Sequence, residues 1–163
     1  MFQPCAEWWR NPGLWLGDGD VSPAPRPGAS SSDPRPAGDP YRVLVVDDED
    51  LIRRLASGMA RRLQVEVLTA ATAAEALDLV RTTRVDALVI DVMLGDGIDG
   101  IELARQVVAA QPWLAIILMS GYLEDDYALE GLPRDTQFLN KPFSGHGLAQ
   151  CLARARGQAP SNH

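Results

Sequence analysis

Three carboxylates, one hydroxyl and one ammonium stand at the ends of four short apolar runs. Together they could bind a divalent cation and handle a phosphoryl group. Residues 43–46 run into Asp47 and Asp48, and residues 87–90 into Asp91. Residues 114–119 stop at Ser120, and 138–139 lead through Asn140 to Lys141. Short runs rich in Val, Ile and Leu suit strands buried on both faces of a parallel sheet. In such sheets ligands sit outside the carboxyl ends of the strands, so these five side chains are expected to converge at one edge. Like charges about 4 Å apart repel by roughly 4 kcal/mol at an effective dielectric of 20. Such acids persist together only if one takes a proton or a cation neutralises the set. Oxygen-only ligands at an open edge suit Mg²⁺, which keeps several waters and shares its remaining sites with phosphate. The plainer alternative is that one or two of the acids only cap a helix beginning near Asp50.

The elements that must position these groups alternate along the chain from Tyr41 onward. Leu51, Leu55, Met59 and Leu63 form an i, i+4 stripe with Ile52 and Ala56 beside it, while Arg53, Arg54, Arg61 and Arg62 lie outside. That pattern predicts an amphipathic helix. Residues 65–70 read as the second strand, and Thr72 can cap the Ala-rich helix that follows. A Gly-rich loop from Gly95 to Gly100 follows Asp91, then a helix over 101–111 that Pro112 stops. A weaker helix over 124–130 is expected before Gly131 and Pro133, and a last one from about Ser144 past Arg156. Five strands alternating with five helices predict right-handed crossovers and a doubly wound α/β sheet.

Composition narrows the function. The 163 residues allow one ordinary domain plus a tail. Acidic residues number 22 against 15 basic, a net charge of −7, and no basic stripe favours direct nucleic acid binding. Cys5 and Cys151 suggest neither a disulfide framework nor a metal site, and read as reduced thiols of a cytoplasmic protein. No apolar stretch is long enough to span a bilayer, and the N-terminus lacks the pattern of a secretory signal. Residues 1–40, with Pro23, Pro25, Pro27, Pro34, Pro36 and Pro40, read as a disordered, partly extended tail. Within it, Trp8, Trp9, Leu14, Trp15 and Leu16 leave two readings open, an unstructured leader or a short docking segment. Residues 41–157 read as the folded domain and 158–163 as a second disordered tail.

The chain from Tyr41 to about Gly157 resembles a response regulator receiver domain, the phosphoacceptor module of two-component signalling. The resemblance is carried by Val43-Leu-Val-Val-Asp-Asp-Glu49, Val89-Ile-Asp-Val-Met-Leu94, Ile98-Asp-Gly100, Met119-Ser-Gly-Tyr122 and Phe138-Leu-Asn-Lys-Pro-Phe143. It implies a flavodoxin-like strand order 2-1-3-4-5. It also implies that Asp91 takes a phosphoryl group from a phosphohistidine on a sensor kinase or phosphotransfer protein. Asp48, Asp91 and the backbone carbonyl of Met93 would bind Mg²⁺, with Asp47 acting through water. Lys141 would pair with the phosphoryl oxygens, the Ser120 hydroxyl would hydrogen-bond them, and Phe138 would be the aromatic switch coupled to Ser120. The Lys141-Pro142 bond matches a position where the family has a cis peptide.

Two departures from the family pattern stand out. The loop after Asp91 is one residue longer than the commonest version, with Gly95 where proline is usual, and a similar loop occurs in receivers of hybrid histidine kinases. Met93 and Tyr122 replace polar side chains that orient an attacking water in many fast-hydrolysing receivers, which implies an aspartyl phosphate that lives long or is lost mainly by back-transfer. The leading expectation is a single-domain regulator or phosphorelay receiver that is not a turnover enzyme and signals through protein contacts. A detached receiver of a hybrid kinase is the near alternative. A phosphohydrolase with an aspartyl-phosphate intermediate is the alternative of another class. The downstream partner stays open, as does a phosphorylation-dependent dimer.

Overall fold

A computed structural model describes residues 38–95, 99–121 and 128–158. The two expected tails fall almost wholly outside these residues, as do Tyr122, His163 and most of the helix expected over 124–130. Within them the order is β1 (Arg42–Val46), α1 (Asp50–Arg61), β2 (Glu66–Ala70), α2 (Ala73–Thr82), β3 (Ala87–Asp91), α3 (Gly100–Ala110), β4 (Ala115–Ser120), β5 (Gln137–Asn140) and α4 (Gly145–Gln158). The described residues thus hold four helices rather than five. Residues 128–130 are not helical, consistent with the lack of an apolar period there. The last helix reaches Gln158, one residue into the segment read as a tail.

The five strands are all parallel, in the order β2-β1-β3-β4-β5. Every residue of β3 is buried, as expected of a central strand covered on both faces. Alternate strand residues feed two separate cores. Leu44, Val46, Leu88, Ile90, Ile116 and Leu118 pack with α2 and α3 on one face. Val43, Val45, Val89, Ile117 and Met119 pack with α1 and α4 on the other. Each fully buried Val, Leu or Ile contributes about 1.5–3 kcal/mol, which lets the fold tolerate crowded charge at its edge.

Helix α1 corrects the sequence reading. Its sheet-facing residues are Ala56, Ser57 and Ala60, whereas Leu51 and Leu55 of the expected apolar stripe are 68% and 45% exposed. Small residues bring the helix axis close to the sheet, and the bulkier leucines are displaced to the flank.

The helix ends are secured by side chains. The Thr72 hydroxyl accepts the Glu75 N–H at 3.2 Å, and Asp99 accepts the Ile101 N–H at 2.8 Å, both N-caps. Buried Gln111, just past α3, joins three pieces of chain. Its amide donates to the carbonyls of Val80 at 2.6 Å and Thr83 at 3.1 Å, and its oxygen accepts the Val85 N–H at 2.9 Å. This ties the end of α2 and the entry to β3 against the end of α3. Gln111→Leu strands two carbonyls and an amide away from water, where each unmet group costs about 1–3 kcal/mol. The expected result is a urea midpoint lowered by roughly 2 kcal/mol or more of stability, with the slope of the transition unchanged.

Candidate functional site

Strand register assembles the site. Val46, the last residue of β1, is level with Ile90, so Asp47, the next residue, comes beside Asp91 at the end of β3. Asp91 is level with Met119, and Ser120 with Asn140, which puts Ser120 and Lys141 just beyond on the same edge. The Lys141 N–H donates to the Ser120 carbonyl at 2.7 Å, and the Val92 N–H to the Met119 carbonyl at 2.9 Å. Backbone ladders therefore bring all five sequence-identified side chains to the carboxyl ends of β1, β3, β4 and β5. This is the strand-order switch point, where β1 and β3 are neighbours and their following helices depart to opposite faces.

Asp47 and Asp91 are held in the same way. Each uses Oδ1 to accept the backbone N–H two residues on: Glu49 for Asp47, at 2.8 Å, and Met93 for Asp91, at 2.9 Å. Each turns Oδ2 to the Lys141 ammonium, at 3.1 Å from Asp47 and 2.6 Å from Asp91. Capping therefore accounts for only one oxygen of each acid. The N-cap of α1 is Glu49, whose side chain makes no capping bond. Asp48 is exposed and completes a cluster in which one oxygen of each acid lies within 4.8 Å of the others.

Charge in this cluster is unbalanced. Three carboxylates face one ammonium among these four side chains. Burial lowers the proton affinity of Lys141, but its bonds to Asp91 and Asp47 outweigh that and hold its pKa above 10.5. Burial also dominates at Asp47, raising its pKa above 3.8 despite the Glu49 N–H and Lys141. Three hard oxygen donors with surplus negative charge, partly open to solvent, fit a small divalent cation such as Mg²⁺.

Sequence reasoning missed several supporting residues. Arg53, read as lying outside the apolar stripe, reaches back from α1. Its two terminal nitrogens donate to the Asp47 carbonyl at 2.7 Å and to Asp50 Oδ1 at 2.8 Å. Gly100 was legible only as part of a motif; a Cβ there would collide with the Asp91 carbonyl oxygen. Its N–H donates to the Val92 carbonyl at 2.9 Å, holding the start of α3 against the end of β3. Met93, two residues past Asp91, is 68% exposed, and its backbone bridges to Asp99. Phe138 is half-buried against the α2–α3 core, and Lys141-Pro142 is cis.

The raised pKa of Asp47 sets a sign for stability. Folding favours its protonated form, so this contribution is present below pH 3.8 and is lost as pH rises through the folded value. Without divalent cation, Asp47→Asn is expected to melt above wild type at pH 7. The gap should close as pH falls toward the unfolded value. Melting curves across that range check both the sign and its disappearance.

The family profile described as the response regulator receiver domain matches residues 43–153. Sensor kinase CckA of Brucella abortus is 40% identical over 114 residues, covering 66% of this chain and 12% of that protein. Response regulator MprA of a Mycobacterium species is 34% identical over 118 residues, covering 72% of this chain and 50% of MprA. The chain therefore spans half or less of these curated relatives. The Vibrio cholerae chemotaxis response regulator CheY4 superposes with a TM-score of 0.65 at 27% identity, covering 72% of this chain and 99% of that one. The receiver domain from the hybrid histidine kinase CckA gives 0.59 at 30% identity, covering 73% and 99%.

Proposed function

The chain belongs to the response regulator receiver domain family, and from that premise we propose that Asp91 accepts a phosphoryl group from a phosphohistidine in an Mg²⁺-dependent reaction. The observation that carries this reading is the Lys141 ammonium, 2.6 Å from Asp91 and 3.1 Å from Asp47 at the edge where three acids meet. An Asp91 carboxylate oxygen attacks phosphorus in line, the N–P bond breaks, and the imidazole leaves with the bond's electron pair. Such a transfer needs positioning and charge neutralisation more than covalent help from the protein. The Met93 N–H fixes the Asp91 carboxylate, and Lys141 pairs with the phosphoryl oxygens as they arrive. The Ser120 hydroxyl donates to one of those oxygens, and Phe138, on the strand that carries Lys141, couples the change to the surface. Asp48, Asp91 and the Met93 carbonyl would hold Mg²⁺, with Asp47 acting through water. When bound, the cation would offset the acids' charge and that of the incoming phosphoryl oxygens.

On this reading the protein is a phosphoacceptor rather than a turnover enzyme, and it acts in the cytoplasm through protein contacts. Among the described residues no helix is long and apolar enough to cross a membrane. With acetyl phosphate and Mg²⁺, wild type is expected to gain the mass of one phosphoryl group. Asp91→Asn, or wild type in excess chelator, is expected to gain none. Labelling of Asp91→Asn to the wild-type extent would refute the assignment.

The donor is a sensor kinase or phosphotransfer protein, and its docking surface is suggested by apolar exposure. Leu51, Leu55 and Met93 are the large apolar side chains most exposed among the described residues. Two stand on the first turns of α1, just after Asp48, and the third is two residues past Asp91. Exposed apolar groups gathered beside an acceptor suit a partner that must exclude water during transfer. Leu51→Ser with Leu55→Ser is expected to slow transfer from a phosphorylated kinase by about tenfold, the scale of one lost interface anchor. Labelling by acetyl phosphate should stay at the wild-type rate; equal slowing of both would place the leucines in the chemistry instead.

A second reading is favoured by the similarity to CckA, a sensor kinase whose receiver also superposes. The chain would then be the receiver piece of a hybrid kinase, fed by its own kinase domain. Kinase coding sequence in frame immediately upstream would establish that arrangement.

A further inference from the structure

Arg53 stands on the first turn of α1, and its side chain is only 18% exposed. Its backbone is braced from both sides. The N–H donates to the Glu49 carbonyl at 3.0 Å, and the carbonyl accepts the hydroxyl of buried Ser57 at 2.6 Å. From that base the guanidinium turns back toward the end of β1. Nη1 donates to the Asp47 carbonyl at 2.7 Å, and Nη2 to Asp50 Oδ1 at 2.8 Å. Every polar atom of Asp47 is then engaged. Its N–H donates to the Ala70 carbonyl at 3.3 Å, Oδ1 accepts the Glu49 N–H, and Oδ2 meets Lys141. The Arg53 contact is the one made to the peptide that joins Asp47 to Asp48.

That peptide is a rigid plane. Gripping its carbonyl sets ψ of Asp47 and φ of Asp48, the two torsions that fix how the neighbouring carboxylates are disposed. We propose that Arg53 is a positioning residue, which holds the Asp47–Asp48 peptide so that both acids face one cation together with Asp91. This rests on the Mg²⁺-dependent reading above. The exposed Asp48 side chain turns about its own bonds, but its Cα stands where the turn puts it. Asp47 is fully buried, so its carbonyl, once released, has no water beside it, and an unmet buried carbonyl is costly. Rotation of the peptide is its route to a new partner. Such a rotation would part the three oxygens that now lie within 4.8 Å of one another.

Charge and placement pull in opposite directions here. Arg53 brings a positive charge toward a cation site, and by Coulomb repulsion alone its loss would tighten the cation. Lost placement would weaken it, and removing an outer hydrogen-bond partner of a metal site typically costs about 10–100-fold in affinity. Arg54 separates the two effects. It carries the same charge one residue on and pairs with the same Asp50 at 2.8 Å, but its side chain is 79% exposed. Among the described residues it makes no bond to Asp47.

The experiment is calorimetric titration of MgCl₂ into the full chain at one ionic strength, for wild type, Arg53→Met and Arg54→Met, with melting curves in EDTA. Methionine keeps much of the apolar stem while removing the charge and the donors. The expected result is Mg²⁺ affinity lowered about tenfold or more in Arg53→Met, and affinity at or above wild type in Arg54→Met. Arg53→Met is expected to melt in EDTA well above the titration temperature. Wild-type or tighter binding in Arg53→Met overturns the proposal, as does an equal loss in Arg54→Met. An Arg53→Met chain already unfolded in EDTA at that temperature also overturns it, because the arginine would then serve the fold. A wild type that takes up no Mg²⁺ removes the underlying reading along with it.

Discussion

The ammonium of Lys141 reaching across the sheet edge is the contact on which the site depends. Lys141 follows β5 at one side of the sheet, while Asp91 ends β3 and Asp47 follows β1, with β4 lying between β5 and β3. One flexible side chain therefore ties together the ends of three strands that are far apart in sequence. It is a cation between two acids, both largely buried, and burial makes every unbalanced charge there expensive. The backbone N–H groups of Glu49 and Met93 fix the other oxygen of each acid. Both carboxylates are thus aimed before any ligand arrives, the condition for electrostatic preorganisation.

Such an edge works against stability. Asp47 is fully buried and titrates high because burial penalises its charge, and Asp48 adds a further acid beside it. Two well-packed cores on either face of the sheet, plus the Gln111 bonds at the opposite end, offset that cost. The structure separates the two tasks spatially. Apolar packing holds the faces and the Gln111 bonds the amino-terminal side of β3, while the cluster of three acids stands at the carboxyl ends. Apolar exposure follows the same division. Leu51 and Leu55, on the helix that follows Asp48, and Met93, two residues past Asp91, are open to solvent.

Much of this was legible in the residues. The apolar runs located all five strands to within a residue or two, and the residues ending them named the three acids, the serine and the lysine. Alternation of strand and helix predicted the doubly wound sheet. Thr72 was read correctly as a helix cap because its side chain acts within a few residues. The helical stripe of α1 was misread in its first half: Met59 and Leu63 pack against the core, but Leu51 and Leu55 are exposed. Leucine spacing shows that a helix is amphipathic, but small Ala56, Ser57 and Ala60 allow a closer approach to the sheet and take the inner face. Arg53 was read only as lying outside the apolar stripe, although it bonds the Asp47 carbonyl.

By itself, then, the sequence determined which groups are present and on which kind of element each one ends, because burial pattern and local capping act over a few residues. Only the tertiary structure decided which oxygen faces which partner. Strand register set Asp47 beside Asp91, and Lys141 spanned 94 and 50 residues of chain to reach them. The close approach at Gly100 likewise depends on how two stretches of backbone pass one another. Contacts of that kind leave no periodic trace in a chain, since a glycine needed for room reads the same as one needed for a turn.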